Sequence, residues 1–332
     1  MKKERLVLYD NDTLKWAYDG KHYCLHIQRD DFAESPRDWD NLAVMACWHR
    51  SYRLGDKIDE NSPELFWVHL VRQYVPTDEI VSAAKDGKLA GIRVEAHKKG
   101  RKLLDVYETY YLDTVLGKSE ASESLEYEGI PEDALFSYIE DDLTIAHCMT
   151  LLEPYAEWMP LWLYDHGGIS MSCGRRTYPY SDRWDSGQVG WIVTFKKKIM
   201  EETVEILKDD GGEPIPEEHL HPDGSVTYGL KTRPLTEETW RARAIEIMEA
   251  EVDTYDQFLT GEVYGYTLYE ADSFDDDDVD WGEIDSCWGF YGDNLLENGI
   301  LDQAGCGAAE AVKSKEYETG TAEKVTTVTY KF

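Results

Sequence analysis

Between Arg243 and Lys313 the chain has no Lys, Arg or His, yet nineteen Asp and Glu fall there, among them Asp275, Asp276, Asp277, Asp278 and Asp280. Self-repulsion of this kind costs a folded protein stability, so it argues for a use or for a special solvent. The stretch covers about a fifth of the length, and the whole chain sets 34 Lys and Arg against 67 Asp and Glu, a net charge of -33. That balance argues against direct binding of nucleic acid, which needs cations to displace the phosphate counterions. It suits the opposite role, a protein that resembles nucleic acid to a basic partner. Two plainer readings stand beside it: a solvated face that maintains solubility, and a salt-adapted proteome. Salt adaptation should spread acid evenly, whereas the first hundred residues hold many Lys and Arg.

With 332 residues, 42% hydrophobic content, 11 Trp and 22 Tyr, the chain is too apolar for a disordered acidic tail and long enough for one large domain or two. No stretch reaches the apolar length of a membrane span. Met1-Lys2-Lys3-Glu4-Arg5 leads into a strand-like run and not a signal peptide, so a cytoplasmic location in the host cell is expected. Six Cys are scattered without a CxxC pair and read as reduced, mostly buried thiols. Cys47-Trp48-His49 puts a thiol near an imidazole, which is weak grounds for a nucleophile and base.

The expected architecture is α+β, with a largely antiparallel sheet, packed helices and an inserted subdomain. Short strands over 5–9, 14–18 and 23–27 are separated by the turn pairs Asn11-Asp12 and Asp19-Gly20. From Pro63 to about Glu153 the pattern changes. Thr77 caps a helix through Lys85, a strand follows over 91–97 and a helix over 132–152. The division is therefore a core of 1–62 plus 153–312, an insertion or small subdomain over 63–152, and a C-terminal strand within 313–332. A hairpin is expected around Asp165-His166-Gly167-Gly168, a buried strand over 189–195, a helix over 197–208 and a loop over 211–224. The longest helix opens at Thr236 and runs to about Leu259, where Gly261 stops it. Trp240, Ala244, Ile247, Met248, Val252, Tyr255 and Leu259 form its core stripe. Strands over 263–269 and 286–291 follow, then a short helix over 293–304 and an alternating strand over 325–330. Trp184, Trp191, Trp288 and Tyr291 sit in or beside strand-like runs punctuated by Gly and are expected to be mostly buried.

Phosphate-binding glycine patterns are missing, and Trp184-Asp185-Ser186-Gly187-Gln188-Val189-Gly190-Trp191 reads as turns entering a buried strand. No cofactor is called for. Asp165, His166 and Asp185 could act as general acid and base or hold a metal, although an Asp-His turn is more often a hydrogen-bonded corner. The Asp275–Asp280 run lacks EF-hand spacing, because its sixth and twelfth positions are Asp280 and Ser286. The acidic helix face carries a sharper argument. Glu246, Glu249, Asp253 and Asp256 recur at i, i+3, i+7 and i+10, about 5–6 Å from neighbour to neighbour. That spacing is of the same order as the phosphates along one strand, so the row can imitate a backbone. Asp272 and the acids after it would extend the row.

Five blocks carry a family resemblance: 39–42 with 47–50 and 52–56, then 160–169, 184–190, 255–265 and 285–292. In them Trp39-Asp40-Asn41-Leu42, Cys47-Trp48-His49-Arg50, Tyr52-Arg53-Leu54-Gly55-Asp56, Tyr255-Asp256-Gln257-Phe258-Leu259 and Asp285-Ser286-Cys287-Trp288-Gly289 keep their order. On these the chain resembles a family of uncharacterised proteins of phages, plasmids and integrative elements in Gram-positive and gut bacteria. The resemblance spans roughly 30–62 and 153–300 and brings no functional residues with it. Its setting implies an anti-defence role, since acidic proteins of mobile elements often block restriction or CRISPR machinery.

The resulting expectation is a cytoplasmic, non-enzymatic inhibitor that occupies the basic cleft of a host nuclease complex. It would use Glu246, Glu249, Asp253, Asp256, Asp272, Asp275, Asp276, Asp277, Asp278 and Asp280 against Arg and Lys of that partner. The alternatives are an enzyme of mobile-element metabolism built on Asp165, His166 and Asp185, and an accessory phage protein whose charge serves solubility only.

Overall fold

The computed structural model describes residues 5–7, 9–98, 106–112, 125–127, 139–174, 184–209, 211–220, 226–272 and 280–321. In chain order the principal elements are β1 (Asp12–Tyr18), β2 (Lys21–Arg29), β3 (Ala43–Cys47), α1 (Pro63–Tyr74), α2 (Thr77–Lys85), α3 (Ile145–Leu152), β4 (Ala156–Asp165), β5 (Ile169–Cys173) and β6 (Ser186–Phe195). They continue with α4 (Trp240–Thr260), β7 (Val263–Ala271), β8 (Gly282–Tyr291), α5 (Ile300–Ala304), α6 (Ala308–Ser314) and β9 (Glu318–Thr321). The protein is α+β with antiparallel sheets, as its alternating runs and one long amphipathic helix predict. Among the described residues no helix is long and apolar enough to cross a membrane.

Two compact units divide the chain. The first comprises Met1–Asn41, Leu161–Gln188 and Glu249–Phe332, the second Leu42–Pro160 and Val189–Met248. Residues 63–152 thus share a unit with 42–62, 153–160 and 189–248.

The first unit is built on a five-stranded sheet in the order β8-β7-β2-β1-β9. Asp19 and Gly20 turn β1 into β2 with positive φ at both residues, the geometry a two-residue hairpin requires. One sheet face carries Leu14, Trp16, Tyr23, Leu25, Ile27, Tyr264, Tyr266 and Leu268 into a core closed by Leu295, Ile300, Leu301, Ala308 and Val312 from around α5 and α6. Trp16 donates its indole N–H to the Cys306 carbonyl at 2.8 Å, so even this buried ring is satisfied. Residues 161–165 of β4 pair with β5 in the expected hairpin.

The second unit packs α1, α2 and α3 with β3 and β6 around Trp67, Ile80, Ile139, Cys148, Leu152 and Val193. Ser62 caps α1 by accepting the Leu65 N–H, and Thr144 with His147 forms a capping box on α3. Gly190 admits no side chain, because an added Cβ would lie 1.9 Å from the Ala46 carbonyl oxygen.

Several expectations change. The 197–208 helix ends at Glu202, and Thr203 leads into a short strand, Val204–Ile206. The 211–224 loop contains the strand Pro216–Leu220, paired with Val226–Leu230. α4 starts at Trp240, after a Thr236–Thr239 turn in which Thr239 Oγ1 accepts the Thr236 N–H. The helix expected over 293–304 is confined to Ile300–Ala304, and α6 follows it. Of 132–152, the described part breaks between residue 141 and α3. Of 5–9, Val7 makes only an isolated bridge to Asn294. The expected strand at 325–330 lies outside the described residues.

Candidate functional site

The acidic row on α4 is set by helical periodicity, and the core stripe opposite it holds. Trp240, Ala244, Met248, Val252 and Tyr255 are buried, with Ile247 and Leu259 partly so. Glu249 and Asp253 are exposed, and no Lys or Arg among the described residues pairs with them. The other two members differ. Glu246, exposed, accepts from Arg243 at 3.1 Å. Asp256 is half-buried, and its Oδ1 accepts the Met171 N–H of β5 at 2.6 Å, with Ser170 as a further donor. Burial raises the Asp256 carboxyl above its ordinary range despite those two donors. Asp253 is also raised, by burial first and by Asp256 second. The expected row of four solvated carboxylates is therefore a row of two, flanked by an ion-paired residue and a tether. The reason is packing: β5 runs beside this part of the helix and leaves the Met171 N–H in need of an acceptor.

Glu251, on another face of α4, is a buried ion pair. Arg37 donates to it at 2.8 Å, with the two side chains 3% and 13% exposed. Two more acids of the cation-free stretch find partners in the N-terminal segment: Glu270 with Lys21 at 2.5 Å and Asp293 with Arg5 at 2.6 Å. Asp272 and Asp280 are exposed, and Asp275, Asp276, Asp277 and Asp278 lie outside the described residues.

β8 adds a feature that the sequence reading placed in the core. It is the outermost strand of its sheet, and Gly282 to Ser286 are all exposed. Its pairing with β7 slips twice. Leu268 faces Asp285 while Tyr269 faces Glu283, which leaves Ile284 over; Tyr264 faces Phe290 while Tyr266 faces Cys287, which leaves Trp288 and Gly289 against Gly265. Gly289 takes φ +87°, as a bulge of this kind requires. Trp288 is 47% exposed and Ile284 46%. Trp288 is thus not a core residue, and the bulge is the cause. Its indole lies flat enough on Gly265 that a Cβ there would meet Trp288 Cε3 at 2.2 Å. On the other face of the strand, where it pairs with Leu268, Asp285 Oδ2 accepts the Tyr266 hydroxyl at 2.6 Å. At the end of β8, Tyr291 donates to the Glu34 carbonyl at 2.6 Å and meets the half-exposed Trp39 edge-on at 5.2 Å. Trp191 is intermediate, and Trp184, just ahead of β6, is 96% exposed.

Two side chains of the alternative site, His166 and Asp185, are in contact. His166 Nδ1 lies 2.7 Å from Asp185 Oδ2, and the Asp165 N–H donates to the Asp185 carbonyl at 2.7 Å. His166 is 70% exposed, so the pair sits on an open turn. Among the described residues no three His, Cys, Asp or Glu side chains gather as a metal site. A cavity of about 500 Å³ in the same unit lies elsewhere, between Leu6, Leu295, Leu301 and Val312, with Arg5 and Lys313 on its walls. His49 cannot serve Cys47 as a base through Nδ1, which accepts the Ser51 and Tyr52 N–H groups. No protein-family model, no curated protein and no solved structure matches this chain.

Proposed function

We propose that this chain is a non-enzymatic inhibitor, an acidic anti-defence protein of a mobile element that imitates nucleic acid. In the cytoplasm of the host cell it occupies the basic cleft of a CRISPR or restriction nuclease complex. The observation that supports this reading is the charge left over in the first unit. Arg5, Lys21 and Arg37 offset Asp293, Glu270 and Glu251, while Glu249, Asp253, Asp272 and Glu283 stay exposed in a stretch without a cation of its own. Such a surface accelerates encounter with a basic partner and repels nucleic acid itself. The mobile-element setting comes from the sequence resemblance alone.

The experiment is capture from host lysate on the immobilised protein, elution with DNA or RNA, and titration of the purified partner at low and moderate salt. Glu249, Asp253 and Glu283 are reversed to Lys together, with Asp256 kept because it serves the fold. The expected result is at least a tenfold loss of affinity, steep salt dependence and an unchanged circular dichroism spectrum. Equal affinity for both proteins, insensitive to salt and nucleic acid, leaves the acid as a solubility device.

A second reading is an acid/base enzyme, favoured by the 2.7 Å contact of His166 with Asp185, which fixes one imidazole nitrogen and leaves the ring open to solvent. Under that reading His166→Ala abolishes the biological effect and leaves partner capture intact.

A further inference from the structure

We infer that the contact surface is centred on β8, and that the partner's cleft is one that binds single-stranded nucleic acid by stacking its bases. The inference rests on the mimicry reading and makes its target specific. A cleft that holds only duplex phosphates presents cations and has no place for an apolar ring. Single-strand sites combine a cationic groove with aromatic platforms on which bases stack. β8 offers the counterpart of both. Glu283, on the face that carries Trp288, and Asp285, on the opposite face of the same edge strand, are exposed carboxylates, and Trp288 is an exposed flat bicyclic ring of the same class as a purine.

Both kinds of group are held in place before binding. The indole is packed on Gly265, where even a methyl group would collide with it. The Asp285 carboxylate is fixed by the Tyr266 hydroxyl, and Tyr266 is fully buried. A ring already immobilised loses little entropy when a partner covers it, which is why rigid Trp residues dominate binding energies. Ile284, extruded by the second bulge, adds apolar area beside the carboxylates.

Simple edge pairing explains the strand less well. Two bulges interrupt the ladder that an added strand would need, and bulges serve to re-aim side chains or end pairing. A second copy pairing edge to edge would also bring Glu283 and Asp285 of each chain together, like charge against like.

The test uses the full chain and the captured partner, and it reads displacement, since capture alone supports nothing here. Twelve-nucleotide dT, an abasic strand of the same length and a twelve-base-pair duplex compete for the complex. The expected order is dT strongest, with the abasic strand and the duplex at least tenfold weaker. Trp288→Ala should weaken partner binding at least tenfold, and Trp288→Tyr should restore most of it. Gly265→Ala, which displaces the ring without removing it, should weaken binding as well, and proton NMR or circular dichroism confirms that each variant folds. Equal displacement by all three competitors, or full affinity in Trp288→Ala, overturns this inference and leaves the mimicry reading standing. A partner that no nucleic acid displaces overturns both.

Discussion

Replacing Asp256 with Ala tests whether the acidic helix face is solvated or structural. The carboxylate accepts the Met171 N–H at 2.6 Å, and Met171 is only 2% exposed, so no water can take over as acceptor without repacking. An abandoned buried donor costs about 1–3 kcal/mol, with charged acceptors at the upper end. Against this stands relief of repulsion, because Asp256 raises the carboxyls of Asp253 and Glu262. Both are partly solvated, so that relief is worth only a few tenths of a kcal/mol. The net expectation is a loss of about 2 kcal/mol, or roughly 4–8 °C in melting temperature for a unit of 150–250 residues. Asp256→Asn, which keeps an acceptor oxygen, should lose less than half as much. Differential scanning calorimetry measures all three proteins, with Glu249→Gln as the exposed control. An Asp256→Ala protein melting within 1 °C of wild type would refute the tether and return the residue to the solvated face.

Other outcomes follow from the same geometry. Arg37→Met strands the buried Glu251 carboxylate and should cost about 3–5 kcal/mol by urea denaturation, with Arg37→Met/Glu251→Met recovering much of it. Asp253, Asp256 and Glu262 have native carboxyls raised chiefly by burial, so the native state binds protons more readily than the unfolded chain. Their contribution to stability therefore rises as pH falls from neutral through the raised native values, and is complete below the ordinary carboxylate range near about pH 4. Asp253→Asn should flatten part of that rise in a melting series against pH. The Cys173 thiol is pushed up to about 12, by burial first and by Glu249 and Asp253 after it. Alkylation followed by mass spectrometry should find it far slower than free cysteine at pH 8, and still slow when both acids are neutralised.

Much of the scaffold was legible because its signals are local. Asp19-Gly20 names a hairpin, the run from Thr77 to Lys85 names a helix, and the stripe from Trp240 to Tyr255 names a core face. Trp184 and Trp288 misled for the opposite reason. Large aromatic residues in strand-like runs are usually covered, and nothing in the run 285–292 marks a register slip except a glycine that also fits an ordinary turn. Asp256 was illegible in principle: its role depends on Met171, 85 residues away, and an acid at the right helical position looks the same whether it meets water or a backbone N–H. The contact of His166 with Asp185 fits a hairpin and the next strand as neighbours, whereas the openness of the pair to solvent has no signal in the sequence.

The distribution of cations within the first unit separates acids that are paired from acids that face solvent. Residues 249–312 supply no Lys or Arg, so a carboxylate there that forms an ion pair takes its cation from elsewhere in the chain, while Asp256 is held by a backbone N–H instead. The lenders are Arg5, Lys21 and Arg37, all from the first 41 residues, reaching across sequence separations of 288, 249 and 214. Each goes to an acid with limited exposure: Asp293, Glu270 and Glu251 have side chains 24%, 26% and 13% exposed. Among the described residues no Lys or Arg pairs with the exposed acids Glu249, Asp253 and Glu283. If the charge served solubility alone, exposed acids would gain nothing from lacking neighbours of opposite sign, and mixed surfaces keep proteins soluble at lower cost in self-repulsion. A surface that must present uniform negative charge to a basic partner has to exclude cations locally, because each would offset a carboxylate and repel an Arg or Lys of the target. Among the described residues, Arg5, Lys21 and Arg37 pair with acids of limited exposure, and Glu249, Asp253 and Glu283 face solvent without such a pair.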